Sequence, residues 1–438
     1  FVCMSATETT RFIIFSLFCS FCFCQLEIGN IGCVYGTLGY GVNVHSAPCT
    51  SDPVLYISLE GDSYSITNGP TTSCGYTWYQ VNGTGWIVDE YLQYCGGPKW
   101  NTFGVGLVSE GNQQQWNYVS DMSGENGWIL LIFAGINNQT TGPQSSWIDA
   151  LNSVYQLNLN PILRLSPPWG QSYYRDESDD PNHTNYTTLA NAFKSVVSGL
   201  PLKSGQNVYL QIDNEPNLCG EWFCEYPESS PISYTTMASE YAYFYKYVEA
   251  AIRSLGEPRW RISTAALAPG GAIQCGCCGS QSCSGDEGGV TGIQYMEAMQ
   301  NEIPDIFDYI DFLASHSYPA SGIGYGFNVP YNQAMPGLTY FELELKQINR
   351  HVQVLITETG WATSVPGDPS CTQDEKGQWT TQAYTNPWLS DDTIMGITAF
   401  VLQDEYWGDE MGFGYVDVNN NIEPVYSDVQ QQRISLGF

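Results

Sequence analysis

The stretch "NVYLQIDNEP", residues 207–216, has the alternation of a strand that is buried on one face. Val208, Leu210 and Ile212 share one face of such a strand, and the polar residues between them share the other. The run ends in acidic residues, and Glu215 stands directly before a proline that stops a strand. An inward carboxylate at a strand end is costly to bury unless it is paired or used. The run therefore predicts a strand that carries chemistry at its end.

Seven other strand-like runs, separated by helical candidates, complete the predicted fold. The strands are predicted at residues 103–109, 128–135, 161–170, 261–270, 310–319, 352–361 and 395–407. The clearest helices are predicted at residues 145–157, 186–197, 235–256, 291–303, 338–351 and 426–435. Strict alternation of eight strands with helices predicts an α/β fold, a (β/α)₈ TIM barrel. An open doubly wound sheet would need a Gly-rich phosphate turn after the first strand, and "LVSEGNQQQ" (107–115) has none.

A second carboxylate, Glu358 in "VLITETGWA" (354–362), ends the seventh predicted strand. Glu215 ends the fourth, so the two acids are expected on opposite sides of the same barrel mouth, where barrel enzymes build their sites. Carboxyl groups about 5–5.5 Å apart would cleave a glycosidic bond with retention of configuration. Mutual repulsion and partial desolvation are expected to keep one acid protonated and the other ionised.

These motifs resemble those of a known group of enzymes. Asn214-Glu215-Pro216 with Glu358 resembles the large clan of retaining (β/α)₈-barrel glycoside hydrolases, and "TETGWA" is similar to the nucleophile motif of endo-β-1,3-glucanases. The resemblance covers about residues 100–438 in architecture and is specific only at these motifs. It implies that Glu215 is the acid/base and Glu358 the nucleophile.

The resemblance also implies roles for other residues. Asn214 would contact the sugar 2-hydroxyl, and Arg164, after the third strand, would hold the nucleophile ionised. His316 and Tyr318 share one face of the sixth strand by parity, and the clan often uses such residues to position nucleophile and substrate. The alternative interpretation makes Arg164 a buried counterion, and His316 and Tyr318 satisfied core groups.

Tryptophans that follow barrel strands are candidates for stacking on sugar rings. The resemblance implies that Trp407, after the eighth strand, is the stacking floor, and Trp169, Trp222 and Trp361 are further candidates by their positions. Because tryptophan is also an ordinary core residue, about half of these are expected to be packing residues.

The N-terminal quarter predicts a leader and a small β domain. Residues 12–24, "FIIFSLFCSFCFC" after Arg11, are too short to span a bilayer and fit a signal-peptide core within residues 1–24; a retained anchor is the alternative. Residues 25–97 contain short strands with turn signals, and "CGGPKWN" marks the boundary to a barrel domain at 98–438. Around "NVHSAP" and "GWI" the segment resembles bacterial-type SH3 domains, which often bind cell-wall material; a packing module without ligand is the alternative.

Composition and cysteines point to the secretory route. The net charge of −31 disfavours nucleic acid and anionic membranes as partners and suits a secreted protein working at low pH. Sequons occur at Asn82, Asn138, Asn182 and Asn185. Eleven cysteines follow residue 24, so at least one thiol is free or joins chains in self-assembly. The four between residues 33 and 95 are expected to form two disulfides within the small domain. A secreted, extracellular or digestive-vacuole location follows.

Two other clusters have alternative interpretations. "CGCCGSQSC" (275–283) has metal-like spacing, but disulfides are favoured over zinc because secreted thiols oxidise and no histidine is near. The acidic run at 175–183 fits a solvated loop better than a calcium site.

The sequence thus predicts a secreted, disulfide-containing glycoprotein: a retaining β-glycosidase, endo-acting on a polysaccharide such as a β-glucan, without a cofactor. The alternatives are a glycosidase-like barrel that only binds carbohydrate or serves as a structural protein, and a glycosyl transferase that uses the same acids.

Overall fold

The computed structural model describes residue 26 and residues 31–37, 40–59, 62–81, 85–96, 101–168, 177–218, 221–222, 234–269, 291–320, 326–350, 352–364, 370–391 and 393–438. The predicted leader, residues 1–24, and the cysteine-rich loop, 275–283, lie outside these ranges. The chain divides after Lys99 into two compact units, which we describe separately. Within the described ranges, every helix is too short or too polar to cross a bilayer.

The first unit is an antiparallel sheet of seven short strands. They are β1 (Ile31–Val34), β2 (Val42–His45), β3 (Val54–Ser58), β4 (Ser63–Ser73), β5 (Tyr76–Val81), β6 (Gly85–Val88) and β7 (Leu92–Gly96). Their order is β3-β2-β6-β5-β4-β1-β7. Val44, Ile66, Val81 and Ile87 form its small core and are at most 1% exposed. The SH3-like assignment of this unit stays a prediction.

Disulfide bonds support this small core. Cys49 and Cys74 are joined, with their Cα atoms 5.3 Å apart, and Cys33 is disulfide-bonded as well. The side chain of Cys95 lies outside the described residues. A segment with so few buried apolar side chains is expected to need such cross-links.

The second unit is a parallel barrel, as the alternation predicts. Its strands are β8 (Gly104–Leu107), β9 (Trp128–Ala134), β10 (Asn160–Ser166), β11 (Val208–Ile212), β12 (Trp260–Thr264), β13 (Leu313–His316), β14 (Val354–Thr359) and β15 (Ile394–Ala399). They form one sheet in the order β12-β11-β10-β9-β8-β15-β14-β13. The gap between β12 and β13 is bridged because Asp311 N donates to Ile262 O (2.8 Å) and Ala314 N to Ser263 Oγ (3.1 Å).

Helices surround the barrel between its strands. Those described are α1 (Gln113–Ser123), α2 (Ser145–Gln156), α3 (Thr187–Gly199), α4 (Tyr234–Arg253), α5 (Gly292–Glu302), α6 (Tyr340–Ile348), α7 (Gln373–Thr385) and α8 (Pro424–Ser435). The sequence predicts all of these helices except α1 and α7, which are rich in glutamine and other polar residues. Both begin with a capping box, Asn112 with Gln115 and Thr372 with Glu375. That motif was the available sequence signal.

Alternate residues of the strands build two cores. Leu130, Ile162, Ala314 and Leu355 belong to a cluster that fills the barrel. Their neighbours along the strands belong to the larger cluster between strands and helices. A residue that alternates in step with these barrel-filling side chains and lies near the carboxyl end of a strand therefore points to the mouth of the barrel.

One buried acid, Glu344 on α6, lies outside the mouth. It is 1% exposed. Burial raises its pKa to about 8, against the smaller lowering effect of a hydrogen bond with Ser315. The folded state therefore holds a proton on Glu344 that the unfolded chain releases near its ordinary pKa, 4.5.

This difference in pKa predicts a pH-dependent stability. Because the folded-state pKa is raised, the contribution of Glu344 is complete below pH 4.5 and is lost as the pH rises through about 8. We expect Glu344→Gln to match wild type at pH 4 and to unfold at higher urea than wild type at pH 9. The difference in unfolding free energy grows by on the order of 1.4 kcal/mol for each pH unit between the two pKa values. Urea unfolding at both pH values measures it; parallel profiles for the two proteins would contradict the prediction.

Candidate active site

Glu215 is aimed by a loop. The predicted fourth strand was too long: β11 ends at Ile212, three residues earlier. Asp213 (φ 77°) and Glu215 (φ 35°) both adopt left-handed backbone conformations, which cost about 1–3 kcal/mol each for such residues. Two backbone hydrogen bonds hold them, from Asp213 N to Leu165 O (2.8 Å) and from Glu215 N to Ala266 O (3.0 Å). The neighbouring strands thus fix the strained turn that presents the carboxylate.

The loop is also clamped by Asn217, which is fully buried. Its Nδ2 donates to Ala268 O (2.7 Å), and its Oδ1 accepts from Ala268 N (2.9 Å). Both halves of the amide are therefore used to tie the Glu215 loop to the segment after β12.

Glu358 reaches the barrel mouth because β14 contains a bulge. The register pairs Ser315 with Ile356 but His316 with Glu358, so Thr357 is an extra residue. Simple alternation from the inward Leu355 would turn Glu358 toward the helices. A bulge bends a strand and redirects the following side chain. Glu358 consequently lies at the mouth of the barrel, beside Arg164 of β10 and His316 of β13.

Arg164 and Tyr318 bind the two oxygens of the Glu358 carboxylate. Arg164, on β10, is 4% exposed, and its Nη2 forms an ion pair with Oε1 of Glu358. The Tyr318 hydroxyl donates to Oε2 (3.0 Å). Burial alone would raise the pKa of Glu358, but the charge of Arg164, the electrostatic effect of the neighbouring His316 ring and the hydrogen bonds from Arg164 and Tyr318 lower it. The carboxylate is therefore held ionised.

His316 lies between the two acids and is fully buried. Its Nδ1 is 2.7 Å from Glu215 Oε1 and 3.7 Å from Glu358 Oε2. Its Nε2 is buried without a hydrogen-bond partner among the described residues. An unpaired lone pair costs less there than an unpaired N–H, so we assign the proton to Nδ1, which donates to Glu215.

The structure brings the predicted acids together. One atom each from Glu215, His316 and Glu358 lie within 4.8 Å of one another. This set also has the composition of a metal site. However, the Arg164 guanidinium already neutralises Glu358, and a divalent cation beside it would be repelled. The arrangement therefore favours acid/base chemistry over metal binding.

The tryptophans predicted to stack on sugar rings have different outcomes. Trp361 does not lie at the mouth: it is fully buried in the helix-layer core and its Nε1 donates to Val329 O (2.8 Å). Trp222 is also fully buried, against Tyr241 and Phe244. Trp407 falls in the π-helical segment Glu405–Glu410, but its side chain, like all of Trp169, lies outside the described residues.

Aromatic side chains that the sequence did not predict for the site cluster around Tyr318, the residue that binds Glu358. Phe413 packs edge-on against Tyr318, Phe327 and Phe400, with ring centroids 6.3, 5.1 and 5.4 Å away. Phe327 and Phe400 are half-buried. The sequence placed Phe400 inside the predicted eighth strand, 395–407, whereas β15 ends at Ala399 and Phe400 follows it directly. Asn214, predicted to bind substrate, is half-buried, and its Oδ1 has no partner among the described residues.

The predictions for the acidic run and for the glycosylation sites also have different outcomes. The acids at the end of the 175–183 run support local turns: Asp180 accepts from Thr184 N (2.8 Å), and Asp179 from Thr188 N (2.8 Å) at the start of α3. Of the sequons, Asn182 is exposed, whereas Asn138 Nδ2 donates to Glu177 O (3.1 Å). Asn185 is half-buried, and Asn82 lies outside the described residues.

For hydrolysis of a glycosidic bond, the reaction that the sequence predicts for this site, we expect Tyr318→Phe to lower kcat about 10–100-fold. The substitution removes a hydrogen bond to the charged Glu358, and such a bond is worth about 1.5–3 kcal/mol. Its loss should raise the pKa of Glu358 and move the acidic limb of the kcat/KM profile to higher pH. Steady-state kinetics from pH 3 to 9 provide the measurement.

The matched control for this variant is Tyr155→Phe. The Tyr155 hydroxyl donates to Pro201 O (2.9 Å) away from the acids, and we expect normal activity. An unshifted acidic limb in Tyr318→Phe would contradict the role assigned to the hydroxyl.

Comparisons with known proteins agree with the fold. No protein-family model matches the sequence, and no curated protein matches it significantly. A glucosidase from Croceicoccus marinus superposes with a TM-score of 0.51 at 8% identity, over 77% of this chain and 67% of that one. A β-glucosidase from Exiguobacterium marinum gives 0.47 at 11% identity (74% and 86%). An endo-β-1,3-glucanase from Amycolatopsis mediterranei, in complex with laminaritriose and laminaribiose, gives 0.40 at 13% (75% and 98%). At these identities the similarity concerns the fold alone.

Proposed function

We propose that this chain is a retaining β-glycoside hydrolase that cleaves a neutral β-glucan internally, with Glu358 as nucleophile and Glu215 as acid/base. The observation that carries the proposal is that one carboxylate oxygen of Glu215 and one of Glu358 lie within 4.8 Å of each other. A retaining pair lies about 5–5.5 Å apart, whereas inversion needs about 6.5–9.5 Å to admit water. Because one fold serves many functions, the proposal depends on these side chains more than on the barrel.

In the first step, Glu358 attacks the anomeric carbon. Arg164 and Tyr318 keep its carboxylate ionised and oriented, which leaves lone pairs of both oxygens for the reaction. The glycosidic C–O bond breaks, and Glu215 gives its proton to the departing oxygen. A covalent glycosyl ester with Glu358 results.

The proton that Glu215 transfers is assigned to its second oxygen. His316 Nδ1–H donates to Oε1, so Oε2 is the atom expected to carry the acidic proton. After the first step, Glu215 is ionised and removes a proton from water, which cleaves the ester with a second inversion. Asn214 is proposed to bind the 2-hydroxyl of the sugar at this stage.

The substrate class follows from charge and aromatic surface. A protein with a net charge of −31 repels anionic polysaccharides. Half-buried Phe327, which packs against Tyr318, and half-buried Phe400, which packs against Phe413, offer apolar faces of the kind on which sugar rings pack. The Croceicoccus enzyme with the same fold is a glucosidase, in keeping with a glucan. We also propose that the protein is secreted with a leader at residues 1–24 and that it is glycosylated. Asn182 is the most accessible of the described sequon asparagines.

The test is hydrolysis of a panel of soluble β-1,3-, β-1,4- and mixed-linked glucans. We expect internal cleavage of at least one, seen as a rapid loss of viscosity. ¹H NMR should show the β anomer of the new reducing end first. An α anomer would overturn retention, and an inert protein that binds the same glucans would favour the carbohydrate-binding alternative.

A further inference from the structure

Lys376 on α7 is a buried cation that the proposed mechanism does not use. It is 1% exposed, and α7 follows the strand that carries Glu358. Its Nζ donates to three successive carbonyl oxygens, those of Gly412 (3.0 Å), Phe413 (2.6 Å) and Gly414 (2.8 Å). An ammonium has three N–H donors, so all three are satisfied. The Tyr415 ring lies 5.3 Å from the same nitrogen.

The bound tripeptide can converge on one cation because of its glycines. Gly412 has φ +73°, a left-handed conformation that disfavours other residues. A Cβ there would come within 1.9 Å of Thr363 Oγ1, so the loop also packs closely against the segment after β14. Without the ammonium, three buried carbonyls would lose their donor, which is costly in a dry interior.

The tripeptide connects this cation to the acids. Phe413, its central residue, is 1% exposed. Its ring packs against Tyr318, whose hydroxyl donates to Glu358. A displacement of Phe413 would therefore remove the support on one side of Tyr318.

Resting on the proposed hydrolase function, we propose that Lys376 is a positioning residue: its ammonium fixes the 412–414 loop, and through Phe413 it holds Tyr318 against the nucleophile. Burial lowers the pKa of Lys376 to about 7, while the charges of Glu423 and Cys371 raise it. In the acidic range that suits this protein, Lys376 therefore carries all three protons.

The first test is a double-mutant cycle of Lys376→Met with Tyr318→Phe. We expect Lys376→Met to lower kcat about 10-fold or more, because Tyr318 loses the support that holds it against Glu358. If Lys376 acts through Tyr318, most of this loss should vanish in the Tyr318→Phe background. Additive effects would overturn the inference.

The matched control is Lys203→Met. Lys203 Nζ also donates to a backbone carbonyl, Tyr155 O (3.0 Å), but it lies before β11, at the amino end of the strands. We expect normal kcat in this variant. An equal loss of kcat in both lysine variants would indicate general destabilisation and overturn the inference.

The second test needs no activity and so separates this inference from the hydrolase proposal. The amides of Gly414 and Val416 are bonded to Gly408 O (3.0 Å) and Leu402 O (2.9 Å). We expect Lys376→Met to speed hydrogen exchange in 411–416 and in the peptide around Tyr318, whereas Lys203→Met should not. Unchanged exchange would overturn the inference, even in an active enzyme. If Lys376→Met does not fold, Lys376→Gln, which keeps two N–H donors, is measured in both tests, with the same expected and contradicting results.

Discussion

Glu358→Gln should lower kcat on the cleaved glucan on the order of 10⁴-fold, because an amide does not act as a carboxylate nucleophile. The side-chain volume hardly changes, and the amide oxygen still accepts from Arg164. Binding of oligosaccharides of the same glucan should persist, since the aromatic rings are untouched. Turnover and binding calorimetry on the same preparation measure both.

The variant leaves the Arg164 charge without its counterion, so stability must be measured too. Loss of one member of a buried pair destabilises a protein by about 3–5 kcal/mol. Glu344→Gln is the matched control, because it makes the same change at a buried acid outside the mouth and should keep full activity at pH 5. Activity above about 10% of wild type in folded Glu358→Gln would contradict the assigned nucleophile.

A smaller variant tests the mechanism by chemical rescue. Glu358→Ala opens space beside the Arg164 guanidinium, and a small anion such as azide is attracted there. Azide attack should restore turnover and give a glycosyl azide of inverted configuration. A structural role for Glu358 would give no such product.

The barrel was predictable because it depends on patterns with a strong local signal. Alternating apolar strands and amphipathic helices such as α4 leave few other arrangements. The helices α1 and α7 were not predicted because both are rich in glutamine and other polar residues, and α7 also has little apolar periodicity. Only the capping boxes at Asn112 and Thr372 mark them.

The acids were identified by position, but their orientation has causes that the sequence pattern does not contain. Parity alone would turn Glu358 outward, and only the extra residue Thr357 in β14 returns it to the mouth. Glu215 lies on a strained loop that backbone bonds from neighbouring strands hold. Trp361 was predicted to stack on substrate because it follows a strand, yet it lies in the core. A side chain two residues beyond a strand is no longer governed by the pleat.

Glu215→Gln should affect substrates unequally, and this distinguishes an acid/base from a binding residue. On a glucan, whose leaving group needs a proton, kcat/KM should fall about 10²–10⁴-fold. On an aryl β-glucoside with a strongly acidic phenol, the first step needs no proton and should stay near the wild-type rate. The second step still needs a base, so a burst of phenol followed by slow turnover is expected.

Azide should remove that second barrier, because it attacks the Glu358 ester without a base and gives a glycosyl azide of retained configuration. The opposite configurations expected from Glu215→Gln and Glu358→Ala assign the two carboxylates independently. His316 should hold the substituted side chain in place. Its Nδ1–H donates to Oε1 of Glu215, and the amide oxygen of the glutamine in Glu215→Gln can accept the same hydrogen bond. Equal losses on the glucan and the activated aryl substrate, measured by stopped-flow release of phenol, would show that Glu215 binds substrate and transfers no proton.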